Sequence, residues 1–424
     1  MKNFKESGIE WLGEIPEHWE VVKINKIVTF VNGYAFENFD FNPIFEIPVI
    51  RIGDMQKEKI LYDNCLKTKE KEKLKQFLIS NNDILIALSG ATTGKIAFCD
   101  TDNKAYINQR VAIVRSKLKL VKYYFLTRGF SLLIELACNG SAQPNISTKE
   151  IGEFKIPLPP LKEQEQIANF LDEKCKKIAN FIEKKEKLMT LLKEQKQAFI
   201  NKATTKGLDK NVNFKDSGIE YLGEIPQHWK LVRLGLILKT SSGTTPDSGN
   251  DKYYKGGQIV WINSGDLNDG FLKDSKRKIT QDALDDYSVL KIFDKDSLIV
   301  AMYGATIGKT AILKVNACVN QACCVLEKSA WYNTFYLFYL FNRYKKELIS
   351  MGSGGGQPNI SQDIIKNIKI PLPPLKEQEQ IANFLDEKCK KIDLLIEKTE
   401  KQIKLIKEYK ITLTNQAVCG RINL

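Results

Sequence analysis

Histidine is scarce in this chain, which has two among 424 residues, and its nine cysteines include no CxxC pair. A zinc site of the Cys/His kind is therefore not expected, and no cysteine spacing is typical of a disulfide framework. No window approaches 18 uninterrupted apolar residues, and the first residues lack the apolar core of a signal peptide. We expect a cytoplasmic protein with reduced thiols that spans no membrane.

Catalytic signatures are missing as well. The aspartates are scattered without a metal-binding grouping, and the Asn/Asp-Pro-Pro-Tyr/Phe tetrad of adenine methyltransferases does not occur. The glycine turns at residues 90–95 and 304–309 resemble a phosphate loop loosely, because three residues separate the glycines where that loop has four. His18 and His228 each precede a tryptophan in the same short motif, where packing is a better interpretation than catalysis. The sequence predicts no enzyme active site.

The chain is basic, with a net charge of +13 and a pI near 9.1. This charge favours an anionic partner such as nucleic acid. The excess is spread out, since residues 4–155 have 21 basic and 19 acidic side chains and residues 214–370 have 20 and 16. Because many cytosolic enzymes are as basic, charge alone supports nucleic-acid binding only moderately. With 43% hydrophobic residues, each half can bury an ordinary core.

The sequence is a tandem duplication. Residues 156–178 and 370–392 are identical over 23 positions, IPLPPLKEQEQIANFLDEKCKKI. A second pair of similar segments lies upstream, FKESGIEWLGEIPEHWEVVKI from Phe4 and FKDSGIEYLGEIPQHWKLVRL from Phe214. Elsewhere the halves align only in short islands. Identical segments suit one partner met twice and divergent ones suit two targets, although recent recombination between repeats would also explain the identity.

The repeats define four predicted domains. They are a first body at residues 1–155, a first joint at 156–213, a second body at 214–369 and a second joint at 370–424. The bodies contain short strand-like runs beginning at Ile47, Asp83, Ile96, Ile259 and Ser297. Helices are expected near residues 121–137 and 332–349. Each body is therefore predicted to be a mixed α/β domain with a largely antiparallel sheet.

The joints are typical of long helices. Apolar residues recur at 4,3 spacing for about five heptads, which is the coiled-coil pattern. The predicted stripe comprises Ile167, Leu171, Ile178, Phe181, Leu188, Leu192 and Phe199 in the first joint and Ile381, Leu385, Ile392, Leu395, Ile406, Tyr409 and Leu413 in the second. Gly207 marks the expected end of the first helix. We predict an α+β fold in which the two helices form an antiparallel coiled coil between two pseudo-symmetric bodies. A homodimer through the same stripes is the alternative.

A family resemblance rests on these repeats. The IPLPPLKEQEQIANFLDEK segments, the EIPEHW and EIPQHW motifs and the two Gly-Ala-Thr-x-Gly-Lys turns resemble those of specificity subunits of type I restriction–modification systems, over nearly the whole chain. In that family each body is a target-recognition domain that reads one half of a split DNA site. The helices fix the separation of the bodies and dock the methylation subunits.

The resemblance also implies partners and cofactors. Double-stranded DNA, two methylation subunits and, through the complex, restriction subunits are the expected partners. S-adenosylmethionine belongs to the methylation subunits, and ATP and magnesium belong to the restriction subunits. The chain itself is then expected to hold no cofactor and to catalyse nothing. A competing hypothesis is a coiled-coil adaptor that joins proteins and ignores DNA, and a catalytic protein with an unrecognised motif is a third.

Polar and aromatic residues in or next to the aligned islands are the candidates for DNA contact. Side chains that reach base edges specify sequence, whereas phosphate contacts position the protein. The candidates are Tyr34, Arg51, Asp54, Thr92, Thr93, Lys95, Gln109 and Arg110 in the first body and Thr245, Tyr254, Asn263, Asp266, Tyr303, Thr306, Lys309 and Gln321 in the second. For each of them, packing or loop capping is an equal alternative. Gln143, Asn145, Gln357 and Asn359 are repeated identically, so they suit scaffold or partner contact better than base reading.

Overall fold

The structure, a computed structural model, describes residues 3–9, 11–56, 58–100, 102–138, 144–352 and 359–422. The chain forms two compact units. The first unit comprises residues 1–185 and 400–424, and the second comprises residues 186–399. Each unit thus contains one body together with a part of each joint.

The body of the first unit is made of short strands. They are β1 (Phe4–Glu6), β2 (Glu14–Pro16), β3 (Glu20–Lys23), β4 (Thr29–Asn32), β5 (Ile47–Ile50), β6 (Met55–Gln56), β7 (Lys59–Ile60), β8 (Leu66–Thr68), β9 (Ile84–Ala87), β10 (Ile96–Phe98), β11 (Tyr106–Ile107), β12 (Val111–Arg115) and β13 (Lys155–Leu158). A four-stranded antiparallel sheet has the order β10-β9-β12-β4. A three-stranded sheet has the order β11-β5-β8, with β11 and β5 parallel. The strand-like runs predicted at Ile47, Asp83 and Ile96 contain β5, β9 and β10.

Strand β9 is buried on both faces, which explains its continuous apolar sequence. Ile84 and Ile86 pack in a core with the helices, whereas Leu85 packs on the opposite face with Ile50 and Ile107. Alternate side chains of a strand point to opposite faces, so this one strand supplies both cores. Each fully buried side chain of this size stabilises the fold by about 1.5–3 kcal/mol.

The body of the second unit repeats this plan. Its strands are β14 (Phe214–Asp216), β15 (Glu224–Pro226), β16 (Lys230–Arg233), β17 (Thr240–Ser241), β18 (Ile259–Ile262), β19 (Gly270–Leu272), β20 (Arg277–Ile279), β21 (Leu298–Ala301), β22 (Thr310–Leu313), β23 (Cys318–Val319), β24 (Cys323–Leu326) and β25 (Lys369–Leu372). They form a five-stranded sheet, β17-β24-β21-β22-β19, and a three-stranded sheet, β20-β18-β23. The runs predicted at Ile259 and Ser297 contain β18 and β21, and β21 is buried on both faces like β9.

The helices are α1 (Val121–Tyr124), α2 (Arg128–Ala137), α3 (Thr148–Glu153), α4 (Leu161–Lys206), α5 (Gln281–Asp286), α6 (Thr334–Arg343), α7 (Lys345–Ser350), α8 (Gln362–Asn367) and α9 (Leu375–Val418). Where the sequence predicts one helix near 121–137, the structure has two. Thr127 starts the second, because its hydroxyl accepts the Phe130 N–H at 3.1 Å as an N-cap. The helix predicted near 332–349 is also divided, at Tyr344, although the Tyr344 side chain makes no capping hydrogen bond. Within the described ranges, no helix is long and apolar enough to cross a membrane.

Helices α4 and α9 are the long helices that the joints predict. They contain 46 and 44 residues, or about 69 and 66 Å at 1.5 Å per residue. Helix α4 ends at Lys206, where Gly207 takes a positive φ of 72°, as its predicted role as a cap requires. In the first unit the beginning of α4 packs against the end of α9, since Ile167 and Leu171 share a core with Leu413.

In the second unit the end of α4 packs against the beginning of α9. Ile200 shares a core with Ile381 and Leu385. The Lys196 ammonium lies 2.7 Å from the Asp393 carboxylate, which fixes which residues of the two helices lie side by side. The helices thus run in opposite directions in each unit, and the predicted antiparallel pairing within the chain is confirmed.

The inner stripe of these helices differs in part from the predicted one. Buried as predicted are Ile167, Leu171, Ile178, Ile381, Leu385 and Ile392. The prediction is wrong for Phe181, Leu188, Leu395 and Tyr409, which are 39%, 39%, 50% and 51% exposed. Their neighbours Ile182, Met189, Ile396 and Lys410 are half-buried instead. At three of these points two adjacent apolar residues fit a 4,3 repeat almost equally well, and the prediction took the outer one.

Candidate nucleic-acid interface

The glycine turn of the first body is a hairpin between β9 and β10. Gly90 and Gly94 have φ values of 85° and 82°, a region that glycine enters without strain. The Gly94 N–H donates to the Ala87 carbonyl at 2.8 Å, and the Ala87 N–H donates to the Lys95 carbonyl at 2.9 Å. Thr93 closes the turn, because its hydroxyl donates to the Gly90 carbonyl at 2.7 Å. The turn is therefore held by its own backbone, by the Thr93 hydroxyl and by the Pro144 carbonyl, which accepts the Gly90 N–H at 2.9 Å.

Two side chains of this turn remain available to a ligand. Thr92 is exposed, and Lys95 is half-buried. The hairpin contacts the segment around Asn145, which pairs with Ser89 through the backbone. Asn145 thus supports the turn, as its repetition in the sequence suggests, whereas Gln143 lies outside the described residues.

The second body has the same hairpin between β21 and β22. The Gly308 N–H donates to the Ala301 carbonyl at 3.0 Å, and the Thr306 hydroxyl donates to the Tyr303 carbonyl at 2.7 Å. Tyr303 is 42% exposed and Lys309 is half-buried. Asn359 pairs with Tyr303 through the backbone as Asn145 pairs with Ser89, and Gln357 lies outside the residues that the structure describes.

A second turn lies beside each hairpin. In the first body the Asn108 side chain accepts the Arg110 N–H at 3.4 Å, and the Arg110 carbonyl accepts the Leu88 N–H at 2.9 Å. Gln109 and Arg110 are exposed at the tip of this turn. The Gln109 N–H donates to the Tyr34 carbonyl at 2.9 Å, which ties Tyr34 to the same place.

The corresponding turn of the second body has the same backbone bonds. The Asn320 side chain accepts the Ala322 N–H at 3.1 Å, and the Ala322 carbonyl accepts the Met302 N–H at 2.9 Å. Gln321 is exposed, and its amide oxygen accepts the Thr245 hydroxyl at 2.7 Å. Thr245 and Gln321, two of the predicted candidates, are thereby in direct contact.

The aspartates among the candidates cap short 3-10 helices. Asp54 accepts the Arg51 N–H at 2.9 Å and its side-chain Nε at 3.2 Å, and the Asp54 side chain is 5% exposed. Asp266 accepts the Asn263 N–H at 2.9 Å in the same position of the second body. Because a carboxylate at the third helical position accepts the backbone N–H of the N-cap residue, both aspartates hold the loop that presents Arg51 or Asn263.

These loops and turns meet at one surface in the first body. Arg51, Asn108, Gln109 and Arg110 line a depression of about 480 Å³. The hairpin reaches it as well, since a Cβ on Gly90 would lie 3.7 Å from the Ile52 side chain. The structure therefore brings candidates from separate parts of the sequence together on a polar, basic surface.

The same surface of the second body has Asn263 and Ala322 where the first body has Arg51 and Arg110. The Asn320 amide donates to the Asn263 side chain at 3.1 Å, where the first body has Arg51. Tyr254, another predicted candidate, is not free to contact DNA with its hydroxyl, because that hydroxyl donates to the Pro246 carbonyl at 2.6 Å. Burial also raises the pKa of Tyr254. The two bodies thus place different side chains on one backbone frame.

The joints form a second repeated site. Strand β3 pairs with β13, and β16 pairs with β25, so that the two repeated sequence segments meet in each unit. Glu163, in the first turn of α4, lies 2.6 Å from His18 Nε2 and accepts the Trp19 indole N–H at 3.0 Å. Glu377 of α9 makes the same contacts at 2.8 and 3.0 Å. The two histidine side chains are 48% and 47% exposed, so they link the turns before β3 and β16 to the long helices through a hydrogen bond at the surface and not by packing in the core.

One contact differs between the identical joints. The Gln378 side chain accepts the Asn333 N–H at 2.8 Å and donates to the Pro373 carbonyl at 2.9 Å and the Trp331 carbonyl at 3.2 Å. Gln164 donates to the Pro159 carbonyl at 2.6 Å, but its buried Oε1 has no partner in the described part of the chain. Identical sequences therefore lie in different surroundings.

In the described ranges, the cysteines and acidic residues form no metal site. Within the described part of the chain, no three of the His, Cys, Asp and Glu side chains group as metal ligands. All nine cysteines are free, and burial raises the pKa of the Cys324 thiol to about 12, so that this thiol stays protonated at neutral pH.

Two bodies of one architecture with different side chains on the same frame define a duplicated recognition protein. The chain belongs to the family of type I restriction–modification specificity subunits, since the model of the type I restriction modification DNA specificity domain matches residues 16–201 and 226–405. It is 27% identical to the type I restriction enzyme MjaVIII specificity subunit of Methanocaldococcus jannaschii, over 100% of this chain and 96% of that protein. It is 25% identical to the type I restriction enzyme EcoBI specificity subunit of Escherichia coli, over 91% of this chain and 82% of that protein.

Solved structures share the fold. A chain from work on "Structural basis underlying complex assembly and conformational transition of the type I R-M system" matches with a TM-score of 0.74 at 17% identity, over 96% of this chain and 99% of that chain. The HsdS subunit from Thermoanaerobacter tengcongensis matches with a TM-score of 0.52 at 16% identity, over 96% and 98%. The predicted architecture of two α/β bodies and two long helices is therefore confirmed.

Proposed function

We propose that each body reads one half of an asymmetric, bipartite DNA site and that the long helices set the gap between the halves. The observation that carries this proposal is the pair of surfaces with one backbone frame and different side chains. Arg51 in the first body stands where the second has Asn263, and Arg110 stands where the second has Ala322. A common frame suits docking on the same kind of duplex, and different side chains suit different bases.

Gln109, Arg110 and Arg51 are the side chains best placed to reach bases in the first body. Arginine can bond guanine with two donors, and glutamine can bond adenine in the same bidentate manner. Each such pair discriminates against a wrong base by about 1–3 kcal/mol. Arg51 shares its guanidinium with Asp54, so Gln109 and Arg110 are the freer of the three. In the second body Thr245 and Gln321 take this role as a bonded pair.

Exchange of the second body tests this division of labour. Replacing residues 224–369 with the same region of another family member should change one half-site and leave the other half-site and the gap unchanged. The half-sites would be determined by sequencing methylated DNA from cells that carry the exchanged chain. A change in both halves would refute separate reading.

The joints are proposed to dock two methylation subunits, one at each helix start. Leu161 and Leu375 occupy the same place in the identical segments and are 61% and 52% exposed. Pro160 and Pro374, which precede them, are exposed as well. Apolar residues exposed twice at equivalent positions suit one partner that binds twice. Restriction subunits would join through this complex.

The mass of the reconstituted complex tests the docking proposal. Native mass spectrometry of the chain with excess methylation subunit should show two methylation subunits per chain, and Leu161→Asp should reduce that number to one. The matched variant Leu375→Asp should do the same. Saturation at one methylation subunit with the unaltered chain would contradict the proposal.

The chain is further proposed to be non-catalytic and to act in the cytoplasm. The absence from the sequence of the methyltransferase tetrad and of a metal-binding grouping of aspartates supports this. S-adenosylmethionine would then be used by the methylation subunits, and ATP and magnesium by the restriction subunits. Purified chain alone should transfer no methyl group to DNA and should gain that activity when methylation subunits are added.

A further inference from the structure

The loop between β4 and β5 exposes two large apolar side chains. Phe39 is 79% exposed and Ile44 is 81% exposed, the highest values among large apolar residues of the part described. The loop has 14 residues, from 33 to 46, and two large apolar side chains exposed to this degree on it suit contact with a partner. Neither side chain belongs to a hydrophobic core cluster of the described residues.

The loop itself is well anchored. The Asn42 N–H donates to the Lys67 carbonyl at 3.0 Å, and Asp40 accepts the Glu37 N–H at 3.0 Å. Lys71 lies 2.7 Å from Asp40 and, with this contact as the main cause, lowers the pKa of its carboxyl. The exposure of Phe39 and Ile44 is therefore a property of a fixed loop.

The loop is continuous with the candidate DNA surface. Its aromatic base is a row of rings in which Tyr34 and Phe36 have centroids 5.0 Å apart and Phe36 and Phe41 have centroids 5.9 Å apart. Tyr34 in turn accepts the Gln109 N–H at 2.9 Å. A duplex that meets Gln109 thus has this loop beside it.

Lysines border the loop at alternate positions from 67 to 75. Lys67, Lys69 and Lys73 are exposed and belong to none of the ion pairs found in the described ranges, and Lys69 Nζ lies 5.0 Å from the Phe45 ring. The loop also exposes the carboxylates Glu37 and Glu46, so these three lysines leave a small positive excess. A partner with negative charge next to an apolar face fits such a surface. DNA offers both, in its phosphates and in its bases.

The corresponding described stretch of the second body, residues 242–258, exposes no such pair of side chains. In the corresponding stretch between β17 and β18, the large side chains Tyr253 and Tyr254 pack on Tyr287 and Trp261, with ring centroids 5.2 and 6.0 Å apart. A methylation subunit that docks twice would need the feature twice. Because the exposed pair Phe39 and Ile44 occurs in the first body, it suits contact with the half-site that the first body reads.

We propose that Phe39 and Ile44 enter a groove of the first half-site and make apolar contact with its bases, while Lys67 and Lys73 neutralise the adjacent phosphates. This inference rests on the proposed function. The apolar contact is with a thymine methyl group or with a base step that the side chains open, both of which are known uses of such residues.

The test uses the complex of the full chain with methylation subunits and its own bipartite site. The double variant Phe39→Ala with Ile44→Ala should bind that duplex about tenfold more weakly, with an unchanged dependence on salt. Lys67→Gln with Lys73→Gln should instead lower the slope of log affinity against log salt by about two. Leu236→Ala is the matched control, because Leu236 is 77% exposed in the second unit, and it should change neither quantity.

Modified duplexes identify the contact. If the partner is a thymine methyl group, deoxyuridine in the first half-site should weaken binding of the unaltered chain but not of the double variant. If a base step is opened, 2-aminopurine fluorescence in that half-site should rise on binding and rise less with the double variant. Binding within twofold of the unaltered chain would overturn the inference, as would loss of methylation subunits instead of DNA. If the complex of the unaltered chain with methylation subunits bound a bipartite site no better than a random duplex, the proposed function itself would be overturned.

Discussion

Lengthening the paired helices by one turn should lengthen the gap between the half-sites. Four residues inserted after Lys193 add about 6 Å of helix and rotate the following residues by about 40°, since 3.6 residues make one turn. One base pair rises about 3.4 Å, because about ten span a 34 Å turn. The tolerated gap should therefore grow by one or two base pairs, with both half-sites unchanged.

The ion pair between Lys196 and Asp393 allows a sharper design. In an antiparallel pair it places residue 193 opposite residue 396, so a matching insertion belongs after Leu395. The single insertion lengthens α4 by one turn and leaves α9 unchanged, so the pairs on one side of the insertion point must slip by a turn, either Lys196 with Asp393 or Ile167 with Leu413, and stability should fall. The double insertion allows both sets of contacts and should recover it. The single and the double insertion variant should recognise DNA sites with the same longer gap between the half-sites, as determined by sequencing methylated DNA. An unchanged gap in a folded, active double variant would refute the role of these helices as a spacer.

Three further predictions concern stability. Glu163→Ala and Glu377→Ala should lower the free energy of unfolding of their units by similar amounts, within about 0.5 kcal/mol, because the glutamates make the same contacts. Gln378→Ala should cost about 1–3 kcal/mol more than Gln164→Ala, because it leaves a backbone N–H and two carbonyls without partners. Equal losses for the two glutamines in calorimetry would contradict this difference. Burial raises the pKa of Asp172, but the bonds from Lys122 and a tyrosine hydroxyl outweigh it and hold that pKa below 3.8. Asp172 therefore stabilises the fold above its unfolded pKa and stops doing so as pH falls through its folded pKa. Asp172→Asn should remove this acid-dependent part of stability in denaturation measured from pH 7 to pH 2, and an unchanged pH profile would contradict the assignment.

Features set by neighbouring residues could be predicted from the sequence. The long helices follow from a period held for several heptads, and Gly207 follows from the need for a positive φ beyond the last turn. The prediction of the stripe was wrong at Leu188 and Leu395 because 4,3 spacing alone does not choose between adjacent apolar residues. That choice depends on how the two helices twist about each other.

Part of the candidate DNA surface could be predicted from the sequence. Asp54 and Asp266 each lie three residues after the residue whose N–H they accept, a spacing that indicates a cap in the sequence. The exposure of Phe39 could not be predicted, because an apolar residue in a loop is buried or exposed according to what the rest of the fold places over it. The meeting of Arg51 with Gln109 is likewise tertiary, since 57 residues of chain separate them.

Sequencing of methylated bases in host DNA tests the central claim most directly. Cells with this chain and its methylation subunits should modify adenines in one asymmetric motif made of two short specified halves and an unspecified gap of fixed length. Removing the chain while keeping the methylation subunits should abolish this pattern. A pattern that survives without the chain, or a single continuous motif with no gap, would contradict the account.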